Sequence, residues 1–229
     1  MYAVLTLIRY KKRFIYFALL AMALHRLPLW LNRRVRFYKL LGCGKGGTFS
    51  QTTDWQQWAV LVVMDKTELT GFSDKASLHR KAFGKFIPGW WRLFGCQTET
   101  FLLEPIEGHG SWDGKQAFGE LPVKSDYEGP VAVLTRATIR RSKRSRFWEH
   151  VDAVSNEMRK ADGFQFSVGI GENPWLKQAT FSVWESKEHM KQFAYKMPKH
   201  ADVVQKTRKE KWYSEDMFVR FRVVENWQE

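Results

Sequence analysis

His200 is the side chain whose type and position most readily suggest chemistry. Pro favours the first turn of a helix, so Pro198 predicts a helix that carries His200 in its first turn. The positive end of the helix dipole opposes protonation there, which keeps the imidazole neutral. Val203, Val204 and Thr207 share its helical face, toward the core. Such an imidazole can bind a metal, or it can be a core histidine satisfied by a hydrogen bond; these residues alone favour the second.

Other familiar catalytic motifs are missing from the sequence. The glycine-rich stretch GCGKGG lacks the spacing of a Walker loop, and it does not form the first strand-to-helix turn of a dinucleotide-binding unit. The sequence contains no H-E-x-x-H zinc motif. Two cysteines, Cys43 and Cys96, make neither a disulfide framework nor a zinc site, and they fit a reducing cytoplasm.

Composition predicts a folded chain with a basic surface. A hydrophobic fraction of 44% and 11 Trp among 229 residues are ample for a core, and most of the Trp should simply pack there. The net charge of +13 would attract nucleic acid, anionic lipid or acidic ligands. We expect no nucleic-acid partner because no base-reading motif accompanies the basic runs. A solvated basic face is the default interpretation, and a surface that approaches membranes is the alternative.

Phe14–Leu24 is a long apolar run near the amino terminus. It is shorter than the roughly 20 residues that a membrane-spanning helix needs. Basic residues precede it as in a signal peptide, but no small-residue cleavage site follows. The run predicts a buried helix, with an interfacial helix as the alternative. We therefore expect a cytoplasmic protein, in peripheral contact with the inner face of the membrane if the alternative holds.

Two stretches of the chain show the same order, strand–helix–strand–strand–helix–strand. The first has strands at Met1–Arg9, Arg36–Leu41, Trp58–Met64 and Thr98–Glu104, with helices at Arg13–His25 and Ser73–Phe86. The second has strands at Pro130–Thr138, Gly163–Gly171, Gln178–Trp184 and Asp216–Val224, with helices at Arg144–Arg159 and Ser186–Arg208, the latter broken near Pro198. This order is typical of ferredoxin-like units.

The two stretches also match in detail, which favours true repetition over chance. Phe37–Gly44 (FYKLLGCG) resembles Phe164–Gly171 (FQFSVGIG), and the correspondence places His79 near the position of His200. We expect an α+β fold in which residues 1–105 and 130–229 form tandem ferredoxin-like βαββαβ repeats, with a connector at 106–129. Each one-sided sheet must bury its open face, so the two should pack together as an α+β barrel.

Eight pieces of the sequence carry a family resemblance. In order they are FYKLLGCGKGGTF, GSWDG, VAVLTRATIR, FWEHV, FSVGIGE, QATFSVW, MPKHA and KWYSEDMFVRFRV. With these pieces spread over nearly the whole chain, the sequence resembles the spheroidene monooxygenase family. The resemblance implies a dimeric α+β barrel fold, and a haem-dependent oxygenase that puts oxygen onto an acyclic carotenoid.

The resemblance also implies a cofactor site in the C-terminal repeat. Related haem proteins of this fold take an axial histidine from a C-terminal helix, which makes His200 the expected ligand of the iron in haem b. His79 is not supported as a ligand by the family pattern, and His109 is given no role. Molecular oxygen would be the co-substrate, and an external electron donor would be needed.

A haem also requires an apolar slot and cationic partners for its propionates. The apolar candidates are Met197, Val204, Trp212, Phe166, Phe181 and Trp184. The cationic candidates are Arg136, Arg220 and Arg222. Polar residues also alternate with apolar ones at Gln165, Ser167, Thr180 and Ser182. One sheet face of the second repeat should therefore be unusually polar, either as the lining of a cavity or as a solvent-facing surface.

Several functions remain open from the sequence. The first is a haem monooxygenase acting on a hydrophobic, carotenoid-like substrate. The alternatives are a haem enzyme with peroxidase-like or aldoxime-dehydratase-like turnover, a protein that binds haem or an apolar ligand without catalysis, and a cofactor-free oxygenase of the same broad fold. Because the fused repeats can close the barrel internally, either a monomer or a homodimer fits.

Overall fold

The computed structural model describes residues 1–47, 52–173 and 175–228, and the side chains of a few helical residues, His200 among them, lie outside that description. In the first half the strands are β1 (Tyr2–Arg9), β2 (Val35–Gly44), β3 (Thr53–Met64) and β4 (Gln97–Gly110). Its helices are α1 (Ile15–Leu24), α2 (Arg26–Leu31), α3 (Lys75–Phe83) and α4 (Phe86–Leu93).

The second half repeats this order. Its strands are β5 (Val131–Ile139), β6 (Phe164–Asn173), β7 (Lys177–Trp184) and β8 (Tyr213–Gln228). Its helices are α5 (Arg144–Met158), α6 (Lys187–Lys196) and α7 (Pro198–Lys209). The predicted break in the last helix is present, because α6 ends before Met197 and α7 begins at Pro198.

The strands close into one antiparallel barrel in the order β1-β3-β2-β6-β7-β5-β8-β4. The first half contributes β4-β1-β3-β2 and the second half contributes β8-β5-β7-β6, which is the same internal order. The halves join where β2 pairs with β6 and where β4 pairs with β8. The predicted α+β barrel is therefore confirmed, with its two sheets joined by hydrogen bonds at both seams.

Side chains fill the inside of the barrel. Residues of β1 alternate, so that Ala3, Leu5 and Leu7 face inward while Val4 and Ile8 face the helices. The inner cluster also holds the large side chains Phe101, Phe181, Phe221 and Trp112. The inside of the barrel is therefore a packed core among the described residues.

The segment after β4 closes one end of the barrel. Trp112 and Phe118 pack against the inward-facing residues, and the Trp112 indole donates a hydrogen bond to Glu172. Strand β4 itself continues to Gly110 and does not end at Glu104 as predicted. The connector is therefore partly strand and partly a structural cap, and its GSWDG motif belongs to the cap.

Two predictions about helices in the first half were wrong. The predicted helix Ser73–Phe86 is interrupted at Gly84, whose φ of 74° suits glycine, and α4 follows. The predicted buried helix over Phe14–Leu24 is instead largely exposed: only 22% of an 18-residue window within Lys12–Leu31 is buried. Ala18 and Ala21 lie against the core, while most of the larger side chains point away from it.

Candidate functional site

The two halves differ most on the sheet face that the helices cover. Strand register aligns them, because Leu40 pairs with Val60 in the first half and Gly169 pairs with Thr180 in the second. By this alignment, Tyr38 and Leu40 of β2 correspond to Ser167 and Gly169 of β6. In the same way, Val60 and Val62 of β3 correspond to Thr180 and Ser182 of β7. Bulky side chains of the first half are replaced by small or polar ones in the second.

We infer from this replacement, and from the exposure of Thr135, that a crevice lies beneath the helices of the second half. Gly169, Thr180, Thr135 and Phe218 form a continuous row across β6, β7, β5 and β8. Thr135 is solvent-exposed, whereas its first-half counterpart Thr6 is fully buried. A residue in the middle of a helix-covered sheet is exposed only where the helices stand away from the strands. We call the space over this row the crevice.

Two apolar clusters flank the crevice. On one side, Trp184 stacks on Phe193 of α6 at 5.2 Å between ring centroids, and Met197 packs beside them. On the other side, Trp212 packs with Phe147 and Trp148 of α5 and with Val203 of α7. The floor of the crevice therefore carries threonine hydroxyls, and an apolar cluster lies on either side of it, with Trp184 and Trp212 buried inside these clusters.

The first turns of α7 span the distance between these walls. Met197 belongs to the first cluster and Val203 to the second, so the backbone between them crosses from one wall to the other. His200 lies in that crossing segment, in the first turn of α7 as predicted. Its side chain is outside the described part of the structure, so its role stays a prediction.

Sequence comparisons identify the family. No protein-family model matches the chain. Spheroidene monooxygenase of Rhodobacter capsulatus is 34% identical over 206 residues, covering 89% of this chain and 81% of that protein. The chain belongs to the spheroidene monooxygenase family. Proteins of the same name from Cereibacter sphaeroides and Rubrivivax gelatinosus are 30% and 33% identical, covering 59% and 68% of those proteins.

Structural comparison supports the same fold for this spheroidene monooxygenase family member. An aldoxime dehydratase in complex with butyraldoxime aligns with a TM-score of 0.59 at 11% identity, over 97% of this chain and 79% of that one. A second aldoxime dehydratase structure aligns with the same TM-score at 12% identity, over 97% and 80%. At such identities the likeness shows the α+β barrel fold alone.

The residues of the crevice fit a haem group. A flat macrocycle needs a slot with apolar walls, and where the first half has Leu40 the second half has Gly169, which carries no side chain. Among the described residues, no group of three or more His, Cys, Asp and Glu could hold a metal ion. A haem iron can be held by a single protein ligand, so one histidine suffices.

The apolar residues predicted to line the cofactor do not come together. Phe166 and Phe181 pack inside the barrel, on the opposite face of the sheet from the crevice. Trp184 and Met197 belong to one wall of the crevice and Trp212 to the other. The side chain of Val204, on α7, is half-buried. The sequence pattern therefore identified residues on both sides of the crevice, but it also included Phe166 and Phe181, which belong to the barrel core.

Arg136, predicted as a propionate partner, lies on the inner face of the barrel. It is 1% exposed, its guanidinium sits over the Trp112 ring, and it donates to Asp113 and Glu215. It does not share a face with Thr180 and Ser182, so the prediction of one polar face that includes Arg136 was wrong. Successive strand residues point to opposite faces, and Arg136 follows Thr135 of the crevice floor.

The network around Arg136 is a structural cap. Burial raises the pKa of Asp113, but hydrogen bonds from Lys177 and Lys39 outweigh it and bring the pKa to about 2. For Glu215, burial is likewise outweighed, by hydrogen bonds from Gly114, Ser111 and Arg136, and its pKa is also about 2. Carboxylates held ionised by several donors make poor proton-transfer groups at neutral pH.

The other two arginines lie on the outer face. Arg220 sits over the Phe218 ring of the crevice row at 4.7 Å, and its Nε–H has no acceptor among the described residues. Its Nη1 pairs with the buried Glu107. Arg222 is bound to Glu104 and is partly exposed at the end of the barrel. Of the three predicted cations, Arg220 is the one beside the crevice.

Sequence analysis missed the central residues of the floor. Thr135 and Gly169 were not singled out, although a position-by-position comparison of the two repeats would have shown bulky residues replaced by small ones. It also missed an open depression of about 420 Å³ lined by Arg141, Arg144 and Leu176 at the start of α5. These arginines belong to the turn and first residue of α5, so the strand pattern could not reveal them.

His79 is a core histidine and not the counterpart of His200. It lies in α3, which follows β3 as α6 follows β7, whereas His200 lies in α7, whose counterpart is α4. The His79 imidazole is buried, with Nε2 2.8 Å from the Thr100 hydroxyl. The predicted correspondence was wrong because the break at Gly84 divides the first-half helix too.

Buried histidines should make stability fall in mild acid. Burial, with the nearby Lys75 charge, lowers the pKa of His79 to about 4, and burial lowers that of His25 to about 4. The unfolded chain then takes up protons below about pH 6.5, before the folded chain does. This stability is complete above the unfolded pKa and is lost as the pH falls toward 4, by up to about 3 kcal/mol for each histidine.

Urea unfolding at several pH values between about 7 and about 4.5 measures this loss. His79→Gln serves as the comparison, because its side chain can still bond to Thr100 but does not titrate. We expect the variant to lose less unfolding free energy over that range than the unaltered protein. The same pH dependence in both would contradict the assignment to His79.

Proposed function

We propose that this protein is a haem-dependent monooxygenase that inserts one atom of molecular oxygen into a hydrophobic, carotenoid-type substrate. Membership of the spheroidene monooxygenase family supports an oxygenase with O2 as co-substrate. The position of the backbone around His200 carries the cofactor part of the proposal, since that segment crosses the crevice between its two apolar walls. The proposed haem site lies within residues 130–229, the C-terminal repeat.

Each part of the crevice has a role in this proposal. His200 binds the iron of haem b from the side of α7. Trp184 and Met197 on one side and Trp212 on the other would enclose the macrocycle and exclude water, together with Val204 of α7. Thr135 and Thr180, which pair across β5 and β7, provide hydroxyl groups on the floor. Arg220, Arg141 and Arg144 are candidate partners for the propionates.

Bound haem would supply oxygen and one-electron chemistry that amino-acid side chains lack. One oxygen atom enters the substrate, and the other leaves as water with two protons and with two electrons from an external donor. The hydroxyls of Thr135 and Thr180 are placed to hold protons at the floor by hydrogen bonding. The apolar walls favour a hydrophobic substrate because polar groups would lose their water there.

The proposed setting is the cytoplasm. Cys43 and Cys96 are both free thiols, as expected in a reducing compartment. A homodimer remains compatible with this proposal, although the barrel itself is completed within one chain.

Absorption spectroscopy tests the cofactor assignment. Protein purified from cells supplied with a haem precursor should show a Soret band, and His200→Ala should bind haem at least about tenfold more weakly, because even groups that only orient a metal ligand cost 10- to 100-fold when removed. The control is His189→Ala, a histidine of α6 whose Nδ1 lies 3.1 Å from the Ser186 hydroxyl. An unchanged spectrum and full occupancy in His200→Ala would refute the ligand assignment.

Product analysis tests the reaction. A monooxygenase requires both O2 and a reductant, so omission of either should abolish oxygenated product. Turnover without oxidant would instead indicate dehydratase-like chemistry, and turnover by iron-free protein would indicate a cofactor-free oxygenase. Haem transfer to an acceptor without product would identify a haem carrier.

A further inference from the structure

Helices α1 and α2 present an exposed apolar surface that the proposed function does not use. Their inner side is narrow and is made by Ala18, Ala21, His25 and Leu29, which follow one another at helical spacing and are buried. The outer side is made of large exposed side chains: Tyr16, Leu19, Leu20, Leu24, Leu27, Trp30 and Leu31. This distribution is the reverse of an ordinary surface helix, whose large apolar residues face the core.

Helix α4 extends this surface. Phe17 of α1 stacks on Phe94 with ring centroids 4.5 Å apart. The rings of His25 and Phe86 meet edge to face, with centroids 6.0 Å apart. Phe86 and Leu93 are themselves exposed. We call the exposed residues of α1 and α2, with Phe86 and Leu93, the apolar face. A contiguous apolar surface on a folded chain marks an interaction site.

The charged residues that precede and follow α1 and α2 in the sequence are all basic. No Asp or Glu occurs before Asp54, whereas ten Lys and Arg residues do. Lys11, Lys12 and Arg13 precede α1, and Arg33, Arg34 and Arg36 follow α2. Arg34 and Arg36 pair with the exposed Glu68 and Asp65, which neutralises part of this rim; among the described residues, no such pair is formed by the basic group before α1.

We propose that the apolar face docks the protein onto an anionic lipid bilayer, with α1 and α2 lying in the plane of the membrane surface. The segment Lys12–Leu31 is long and apolar enough to cross a membrane by length and composition, with a mean hydropathy of 1.6. Its inner side is nevertheless packed on the barrel, which fixes it flat against the protein. Apolar side chains would enter the acyl boundary while the basic rim meets acidic headgroups.

The basic rim is the feature that favours lipid over a second copy of this chain. Two such faces brought together would oppose like charges, whereas an anionic headgroup layer is complementary to them. The face covers the first half of the barrel and the crevice lies over the second half. The inference therefore does not rest on the proposed function.

Vesicle flotation with the full chain tests the inference. The protein should float with vesicles of phosphatidylcholine mixed with phosphatidylglycerol, bind vesicles of phosphatidylcholine alone more weakly, and dissociate as salt is raised. Leu27→Gln/Trp30→Gln/Leu31→Gln should weaken binding at least about tenfold. These side chains are 59%, 70% and 60% exposed, so the variant should fold normally. The matched control is Trp175→Gln/Tyr195→Gln, which removes exposed aromatic residues from the second half.

A second pair of variants tests the charge. Lys12→Gln/Arg33→Gln should weaken binding to the anionic vesicles about tenfold or more, while Lys115→Gln/Lys124→Gln should have little effect. Equal binding of the triple apolar variant and the unaltered protein would overturn the inference, as would equal binding to both vesicle types. Conversion of a stable dimer to a monomer by the triple variant, with vesicle binding unchanged, would assign the face to a second copy. None of these readouts involves oxygenation or haem.

Discussion

Gly169→Leu should strongly reduce haem binding while leaving the barrel folded. The change places on β6 the side chain that Leu40 carries at the matching position of β2. Forcing extra bulk into a fitted site typically costs 1–3 kcal/mol, which corresponds to a roughly 10- to 100-fold weaker haem complex. Titration of haem into the haem-free protein, followed by absorption, measures the affinity.

Ser214→Leu is the matched control for this experiment. It adds the same apolar bulk at an exposed position of β8 outside the crevice. Circular dichroism and thermal unfolding of both haem-free variants check that the fold is retained. Full haem occupancy in Gly169→Leu, with an unchanged spectrum, would place the cofactor somewhere other than the crevice.

Glu107→Gln should produce a large loss of stability, about 3–5 kcal/mol in the free energy of unfolding. Glu107 is 1% exposed and faces two buried cations, Arg220 and Lys187, the latter 3.0 Å away. It also accepts a hydrogen bond from the Ser125 backbone at 2.7 Å. Gln has almost the same shape but no charge, so it leaves both cations buried without a counter-ion.

Glu104→Gln is the control, because Glu104 forms a similar pair of ion contacts near the surface. It binds Arg222 and Lys66, whose side chains are 41% and 54% exposed. Such pairs are screened by water and contribute at most about 1 kcal/mol. In urea unfolding, Glu107→Gln should therefore lose several-fold more free energy of unfolding than Glu104→Gln. Losses of equal size would contradict the view that burial makes Glu107 important.

The comparison of the two halves links these predictions to function. The helix-covered face is closed by large apolar residues in the first half and opened by Gly169, Thr180 and Thr135 in the second. Duplication can provide a stable scaffold from one repeat and a binding site from the other. The buried Glu107 pair then anchors α6 beside the crevice, because Lys187 is the first residue of that helix.

The sequence by itself determined the repeat, the order of strands and helices, the break before Pro198 and the family. These features depend on local alternation, on helix-breaking residues and on motifs spread along the chain. It did not determine which face of each strand points inward. Arg136 and Thr135 are equally polar neighbours, and period-2 alternation separates them without saying which one enters the barrel.

Only the tertiary structure decided those placements, because they depend on contacts between residues far apart in sequence. Closure of the barrel through the β2–β6 and β4–β8 pairs turns Arg136 inward to Asp113 and Glu215 and leaves Thr135 on the crevice floor. The same long-range packing buries the small side of α1 and exposes its large residues. An apolar run in a sequence indicates how much apolar surface favours burial. Only the folded chain shows how much of that surface the protein itself buries.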